Sequence, residues 1–194
     1  MTDFTELRRD SLARHLRKHL AGEVRFDTAS RRIYSTDASI YQVEPLGVAL
    51  PRTAEDVVAA VQIAGEMHVS ITPRGGGTSL SGQSIGPGVV LDCSKYLNNV
   101  LAIDPVGRTA RVQPGVVLDQ FNRALAPHNL LFGPEVSTSS RANLGGMMGN
   151  NSAGSRSIVY GKTIDHVLRR LGEDDAERLD LVDAGVGAVE LARR

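Results

Sequence analysis

Tryptophan is absent from this chain, aromatic residues make up 4% of it, and among its 194 residues there is a single cysteine, Cys93. Each shortage excludes a class of protein. One cysteine cannot close an intrachain disulfide or a zinc knuckle, and it suits a reducing compartment. Few aromatics leave no stacking platform for single-stranded nucleic acid. Lys plus Arg and Asp plus Glu each number 22, and no basic stripe forms. A nucleic-acid backbone therefore has no electrostatic partner here. No apolar run approaches the ~20 residues of a membrane span, and Met1-Thr2-Asp3-Phe4 begins no secretory signal. The expectation is a soluble cytoplasmic protein of one ordinary domain or two small lobes.

What the chain does have is glycine, concentrated in two loops. The first reads Pro73-Arg74-Gly75-Gly76-Gly77-Thr78-Ser79-Leu80-Ser81-Gly82, the second Asn143-Leu144-Gly145-Gly146-Met147-Met148-Gly149-Asn150-Asn151-Ser152-Ala153-Gly154. Consecutive glycines admit positive φ and remove the Cβ that would hold a ligand off. Successive N–H groups then converge on an anion. A tight turn or a glycine-rich bend is the plain alternative for either loop alone. Together, both edged with short hydroxyl and amide side chains, they point to one long phosphorylated ligand held at two places, such as a dinucleotide.

Around the loops the pattern alternates between helix and strand. Residues 3–21 read as an amphipathic helix, with Asp3 and Glu6 as a capping box, Leu12, Leu16 and Leu20 inward, and Gly22 ending it. Its basic face (Arg8, Arg9, Arg14, Arg17, Lys18) reads as solvated, with a membrane surface or a partner as the alternative. Gly47-Val48-Ala49-Leu50 reads as a strand. A helix capped by Thr53 follows, with Asp56 three residues on and Val57, Val58, Val61 and Ala64 inward. Val69 to Thr72 and Gly88 to Asp92 read as further strands, so the segment is a βαβ unit with parallel pairing. Beyond residue 98 the rhythm becomes antiparallel. Val100 to Asp104 and Thr109 to Val112 flank Pro105-Val106-Gly107-Arg108 as a hairpin, followed by a helix from Val117 to Leu125 and an apolar Leu130-Leu131-Phe132. From Leu168 the chain turns densely charged, and Ala188 to Arg194 reads as a last helical turn or two.

Familiar phosphate loops fail at named residues. The G-x-G-x-x-G fingerprint lacks its last glycine at Leu80. A Walker loop over Gly77 to Ser84 has Gln83 in place of lysine, and one ending at Gly161-Lys162-Thr163 has Arg156 in place of its first glycine. His15 and His19 stand one helical turn apart without an acidic third ligand, so they read as surface residues rather than a metal site. His166 reads as a hydrogen-bonded structural histidine that stands close enough in sequence to approach the ligand, and Cys93 as a buried small residue.

The two loops in this order, with Pro134 between them and Tyr160-Gly161 after them, resemble the flavin-binding domain of the vanillyl-alcohol oxidase / p-cresol methylhydroxylase (PCMH-type) superfamily over residues 34–167. Within it the chain is similar to the FAD-linked 2-hydroxy acid dehydrogenases, the D-lactate dehydrogenase and glycolate oxidase flavin subunit group. The resemblance implies an α+β fold: a small parallel βαβ lobe and a larger, mainly antiparallel lobe, with FAD extended between them. It implies that Pro73 and Arg74 are cofactor-binding residues at the head of a cradle in which Gly75, Gly76, Gly77, Thr78 and Ser79 give N–H and hydroxyl groups to the pyrophosphate. Gly82 would let the chain pass the flavin, and Pro134 and Thr138 would line the cofactor. Gly145 and Gly146 would allow close approach of the second lobe. Asn150, Asn151, Ser152, Ala153 and Gly154 would touch the ribityl chain and flavin edge, with Tyr160 at the end of that wall. Some members attach flavin through a histidine in the first loop. Thr78 occupies that region here, so attachment is expected to be noncovalent.

The organisation expected is a lead-in over 1–33, a first FAD-binding lobe over 34–97, a second over 98–167, and a divergent charged tail over 168–194. The family's next strand is not recognisable after Leu168 and its substrate domain is missing, so the chain is expected to be C-terminally truncated. The function implied is hydride transfer from a 2-hydroxy acid to flavin N5, with a substrate-domain polypeptide as the partner the family would supply. The alternatives are a remnant or partner subunit without activity of its own, and an unrelated nucleotide-binding module. No catalytic residue is assigned.

Overall fold

A computed structural model of the chain describes residues 4–169 and 187–193. It divides into two compact units, Met1–Tyr96 and Leu97–Arg194.

In the first unit, helix α1 (Phe4–His19) buries Leu12, Ala13 and Leu16, and Leu20 follows its end. Asp3 of the expected capping box lies outside the described residues. Arg8, on the basic face, donates to the carbonyls of Met67 (2.6 Å) and His68 (3.1 Å). These close the C-terminus of α3 (Ala54–Glu66), where a cation complements the helix dipole. Part of that face is therefore a docking contact. Between α1 and α3 run strand β1 (Glu23–Arg25), helix α2 (Thr28–Ile33) and strand β2 (Gly47–Leu50), and after α3 come β3 (Ile71–Arg74) and β4 (Val89–Asp92). The sheet order is β1-β2-β4-β3, with β2 and β3 both parallel to β4 and β1 antiparallel to β2. The expected βαβ unit is present, with β4 inserted between its strands.

Period-two alternation explains the burial. Ala49, Val89 and Leu91 face α1 and α3, while Val48, Leu50 and Val90 pack with Tyr34 and Tyr96 on the opposite face. Thr53 caps α3, its hydroxyl accepting from Asp56 N–H at 3.2 Å. The buried Asp56 carboxylate in turn accepts from the N–H groups of Ala21 and Arg52, each at 2.8 Å, which ties the end of α1 to the start of α3. The inward face of α3 needs one correction. Val61 is exposed, and Ala60, Ile63 and Ala64 carry the burial.

In the second unit, β5 (Val100–Asp104) and β6 (Thr109–Val112) form the expected antiparallel hairpin. Asp104 Oδ1 accepts from Val106 and Gly107 N–H at 3.0 Å, shaping the turn. Helix α4 (Leu118–Leu125) buries Leu118, Phe121 and Leu125 under this sheet's core. Then come β7 (Leu130–Leu131), α5 (Leu144–Gly149), α6 (Ser157–Tyr160), β8 (Val167–Arg169), β9 (Gly187–Glu190) and β10 (Ala192–Arg193). The sheet order is β5-β6-β9-β8, antiparallel throughout, and β10 pairs with β7.

Two expectations for the end of the chain are corrected here. Leu168 lies in a strand, and Ala188–Arg193 is extended, not helical. Val189 and Leu191 are 0% and 1% exposed and join the core of Ala110, Val112 and Phe121. Their spacing of two suits a strand, and β6 supplies the ladder that claims them. Most of the densely charged stretch, 170–186, lies outside the described residues.

Candidate functional site

The first loop leaves β3 at Arg74 and returns to β4 at Val89. Gly77 (φ +65°) and Gly82 (φ +76°) occupy the left-handed region where glycine is favoured. Pro73 and Arg74 are the last residues of β3. The Arg74 guanidinium turns back under the loop. Its Nη1 donates to Thr36 O (2.9 Å) and Ser84 O (3.3 Å), and its plane lies 5.2 Å from the centre of the Tyr34 ring. Gly77 O accepts from Ala38 N–H at 3.1 Å, and Ser84 donates its hydroxyl to Asp37 at 2.8 Å. Ser79 donates to Gln83 and accepts from the N–H groups of Ser81 and Gln83 at 3.2 Å. Gly77 O, Ser84 O and the Ser79 and Ser84 hydroxyls are thus engaged within the protein. Among the described residues, none accepts from the N–H of Gly76, Gly77 or Thr78. Adjacent free donors in a glycine backbone form an anion-binding concavity, which fits a diphosphate.

The second loop is helical in its first half. Asn143 stands just before α5, with its side chain buried; Nδ2 donates to Gly115 O at 2.5 Å and Oδ1 has no partner among the described residues. Gly145 touches Pro114, where a Cβ would stand 2.6 Å from the ring, so its close approach is made within the second unit. Gly146 faces open space. Asn150 folds back onto Gly146 O at 2.9 Å, and Asn151, at φ +45°, accepts from Ile164 N–H at 3.0 Å. Ser152 O accepts from both the N–H and the hydroxyl of the fully buried Thr163, at 3.1 and 2.7 Å. Ala153 is exposed, and Gly154 presses on the Glu135 carbonyl. Pro134 is buried, whereas Thr138 is exposed and turns the chain through its carbonyl. Tyr160 is half-buried, and its carbonyl meets His166 Nε2 at 2.6 Å. That ring stands edge-on to Phe132, and its buried Nδ1 has no partner among the described residues. Thr163 and Asn143 were not singled out as site residues, and only their buried hydrogen bonds reveal them.

Other groups behave as structure. His15 and His19 each bond a carbonyl of their own helix at 2.9 Å, and no group of side chains suited to a metal ion occurs among the described residues. Burial, and secondarily the Asp92 carboxylate, push the Cys93 thiol up to about 12, so it is no nucleophile at neutral pH. Among the described residues no helix is long and apolar enough to cross a membrane.

Comparison with known proteins agrees with this geometry. The family described as FAD binding domain matches residues 45–170. The chain belongs to that family, and FAD is its cofactor. It is 44% identical over 172 residues to a D-2-hydroxyglutarate dehydrogenase of Pseudomonas putida, covering 85% of this chain and 17% of that protein. It is 36% identical over 165 residues to glycolate oxidase subunit GlcD of Escherichia coli, covering 83% of this chain and 33% of that one. The chain thus spans a third or less of the length of these relatives. Among solved structures, alkyldihydroxyacetonephosphate synthase aligns with a TM-score of 0.77 at 20% identity, over 95% of this chain and 40% of that one. p-Cresol methylhydroxylase aligns at 0.73 and 17%, over 97% and 44%. The fold is the PCMH-type α+β fold.

Proposed function

We propose that this chain is the cofactor-holding part of an FAD-linked oxidoreductase acting on a 2-hydroxy acid. The observation that carries the reading is the row of N–H groups at Gly76, Gly77 and Thr78 in the first glycine loop, which have no acceptor among the described residues. In this reading Gly75 through Ser79 hold the diphosphate by backbone donors, and no lysine is needed. Gly82, at positive φ beside Tyr41, leaves the chain without a Cβ where the flavin would pass. Gly146 and Asn150 through Gly154 line the ribityl and flavin portion, with Pro134, Thr138 and Tyr160 behind them. When bound, the flavin would accept a hydride from the hydroxyl-bearing carbon of the substrate. This chain's own part is to bind, orient and shield. No histidine or cysteine stands in either loop, which favours noncovalent attachment. The substrate class rests on the likeness to D-2-hydroxyglutarate dehydrogenases and to the glycolate oxidase subunit. A substrate-domain polypeptide as partner and a cytoplasmic location belong to the same reading.

A second reading is a chain that holds FAD and is reduced by none of these 2-hydroxy acids. The test adds D-2-hydroxyglutarate, glycolate or D-lactate anaerobically to the FAD-loaded chain. Bleaching of the visible flavin band by one of them supports an oxidoreductase. Flavin held without bleaching supports the second reading. Flavin that stays with the protein after acid precipitation contradicts noncovalent attachment.

A further inference from the structure

The glycine loop lies against the half-buried guanidinium of Arg74. Arg74 opens the loop in sequence, and its guanidinium is engaged by carbonyls of residues outside the row of free N–H groups. Nη1 bridges two carbonyls from different segments, Thr36 O at 2.9 Å and Ser84 O at 3.3 Å. The guanidinium stacks on Tyr34, whose hydroxyl donates to the buried Asp92 at 2.6 Å. Asp92 ends β4, the strand beside β3, and is itself fixed by Ser94 N–H at 2.8 Å and by the Ser94 hydroxyl at 2.6 Å. On the loop side, a Cβ at Gly77 would stand 2.7 Å from Arg74 Nη2, so the loop backbone rests directly on the guanidinium. The neighbouring bonds, Ala38 N–H to Gly77 O and Ser84 to Asp37, close the same bracket between residues 36–38 and 77–84.

We propose that Arg74 is a positioning residue for the diphosphate cradle: a brace that holds Gly75 to Thr78 in their donor-outward conformation before any ligand arrives. It is not the cofactor ligand that its place in the motif suggests. The proposal rests on the FAD reading for what the cradle binds. A planar fork is required, because one guanidinium must stack on a ring and serve carbonyls in its own plane, which a lysine ammonium cannot do. A brace formed in advance lowers the ordering cost of binding.

The test compares the wild-type chain with Arg74→Ala, Arg74→Lys and Tyr34→Leu. Amide hydrogen exchange of the ligand-free protein, with Ala38 N–H as reporter, reads the brace. Titration with FAD and with ADP reads the cradle. Both Arg74 variants are expected to lose about tenfold in protection at Ala38 and in affinity for both ligands, the loss of a charged hydrogen-bond set. Tyr34→Leu, which removes the ring beside the Arg74 guanidinium, shifts both readouts in the same direction by a smaller factor. Arg74→Lys binding like wild type, or an affinity loss in Arg74→Ala with Ala38 exchange unchanged, makes Arg74 a charge acting on the ligand and overturns the proposal. If the wild type binds neither ligand, the FAD reading fails, while the exchange comparison still decides whether Arg74 braces the loop.

Discussion

Gly154 is where one added carbon would cost the second unit most. A Cβ there would stand 1.8 Å from the Glu135 carbonyl oxygen, a main-chain atom that cannot swing aside. Gly154→Ala is expected to destabilise the unit by about 1–3 kcal/mol, read as a lower denaturation midpoint. Gly146→Ala meets nothing within 4 Å and sits in α5, so its stability should stay within about 0.5 kcal/mol of wild type. A fall in FAD affinity in that variant, without a fall in stability, marks the open space as the cofactor's. Unchanged affinity removes Gly146 from the site. Cys93 makes a separate residue-scale prediction. A thiol pushed up to about 12 from 9.0 presents roughly a thousandfold less thiolate at neutral pH. It should react with Ellman's reagent far more slowly in the native chain than in the unfolded one, and equal rates in the two states would contradict the raised pKa.

At the scale of elements, β1 is fastened to the chain following β4 by one carboxylate. Glu23 accepts from Lys95, Tyr96 and Arg25, and these bonds, led by Lys95, hold its carboxyl down at about 2. A lowered carboxyl pKa stabilises the fold fully above its ordinary value of 4.5 and loses that contribution as pH falls through about 2. The wild-type chain should therefore lose stability between those values, and Glu23→Gln should flatten that stretch of the curve. Parallel acid curves for the two proteins would show that the cluster contributes nothing. β2, β4 and the β5–β6 hairpin were legible because each is a compact apolar or alternating run between turn residues. β9 was not. Its glycine and alanine carry little propensity, and the pairing with β6 and β8 that makes it a strand joins residues far apart in sequence. Val61 was misassigned for a related reason. A helix rich in valine and alanine has no sharp polar face, and only packing against α1 decides which side is covered.

For the whole molecule, the cofactor class was legible where its chemistry lies in the backbone. Glycines and short polar residues in two loops announce an anion cradle, and the free N–H groups of Gly76 to Thr78 are what that composition implies. The bonds that hold each loop within its own unit were not legible. The Arg74 bridge to Thr36, the Asn143 contact with Gly115 and the Thr163 bonds to Ser152 each span many residues, and no local pattern encodes them. The central claim, that this chain folds into a working FAD cradle, is tested most directly by titrating it with FAD and recording the visible flavin spectrum, with Gly76→Asp in parallel. Shifted, saturable flavin bands with the wild-type chain, lost when a carboxylate replaces Gly76 among the diphosphate donors, are predicted. A spectrum that remains that of free flavin at every ratio would contradict the account.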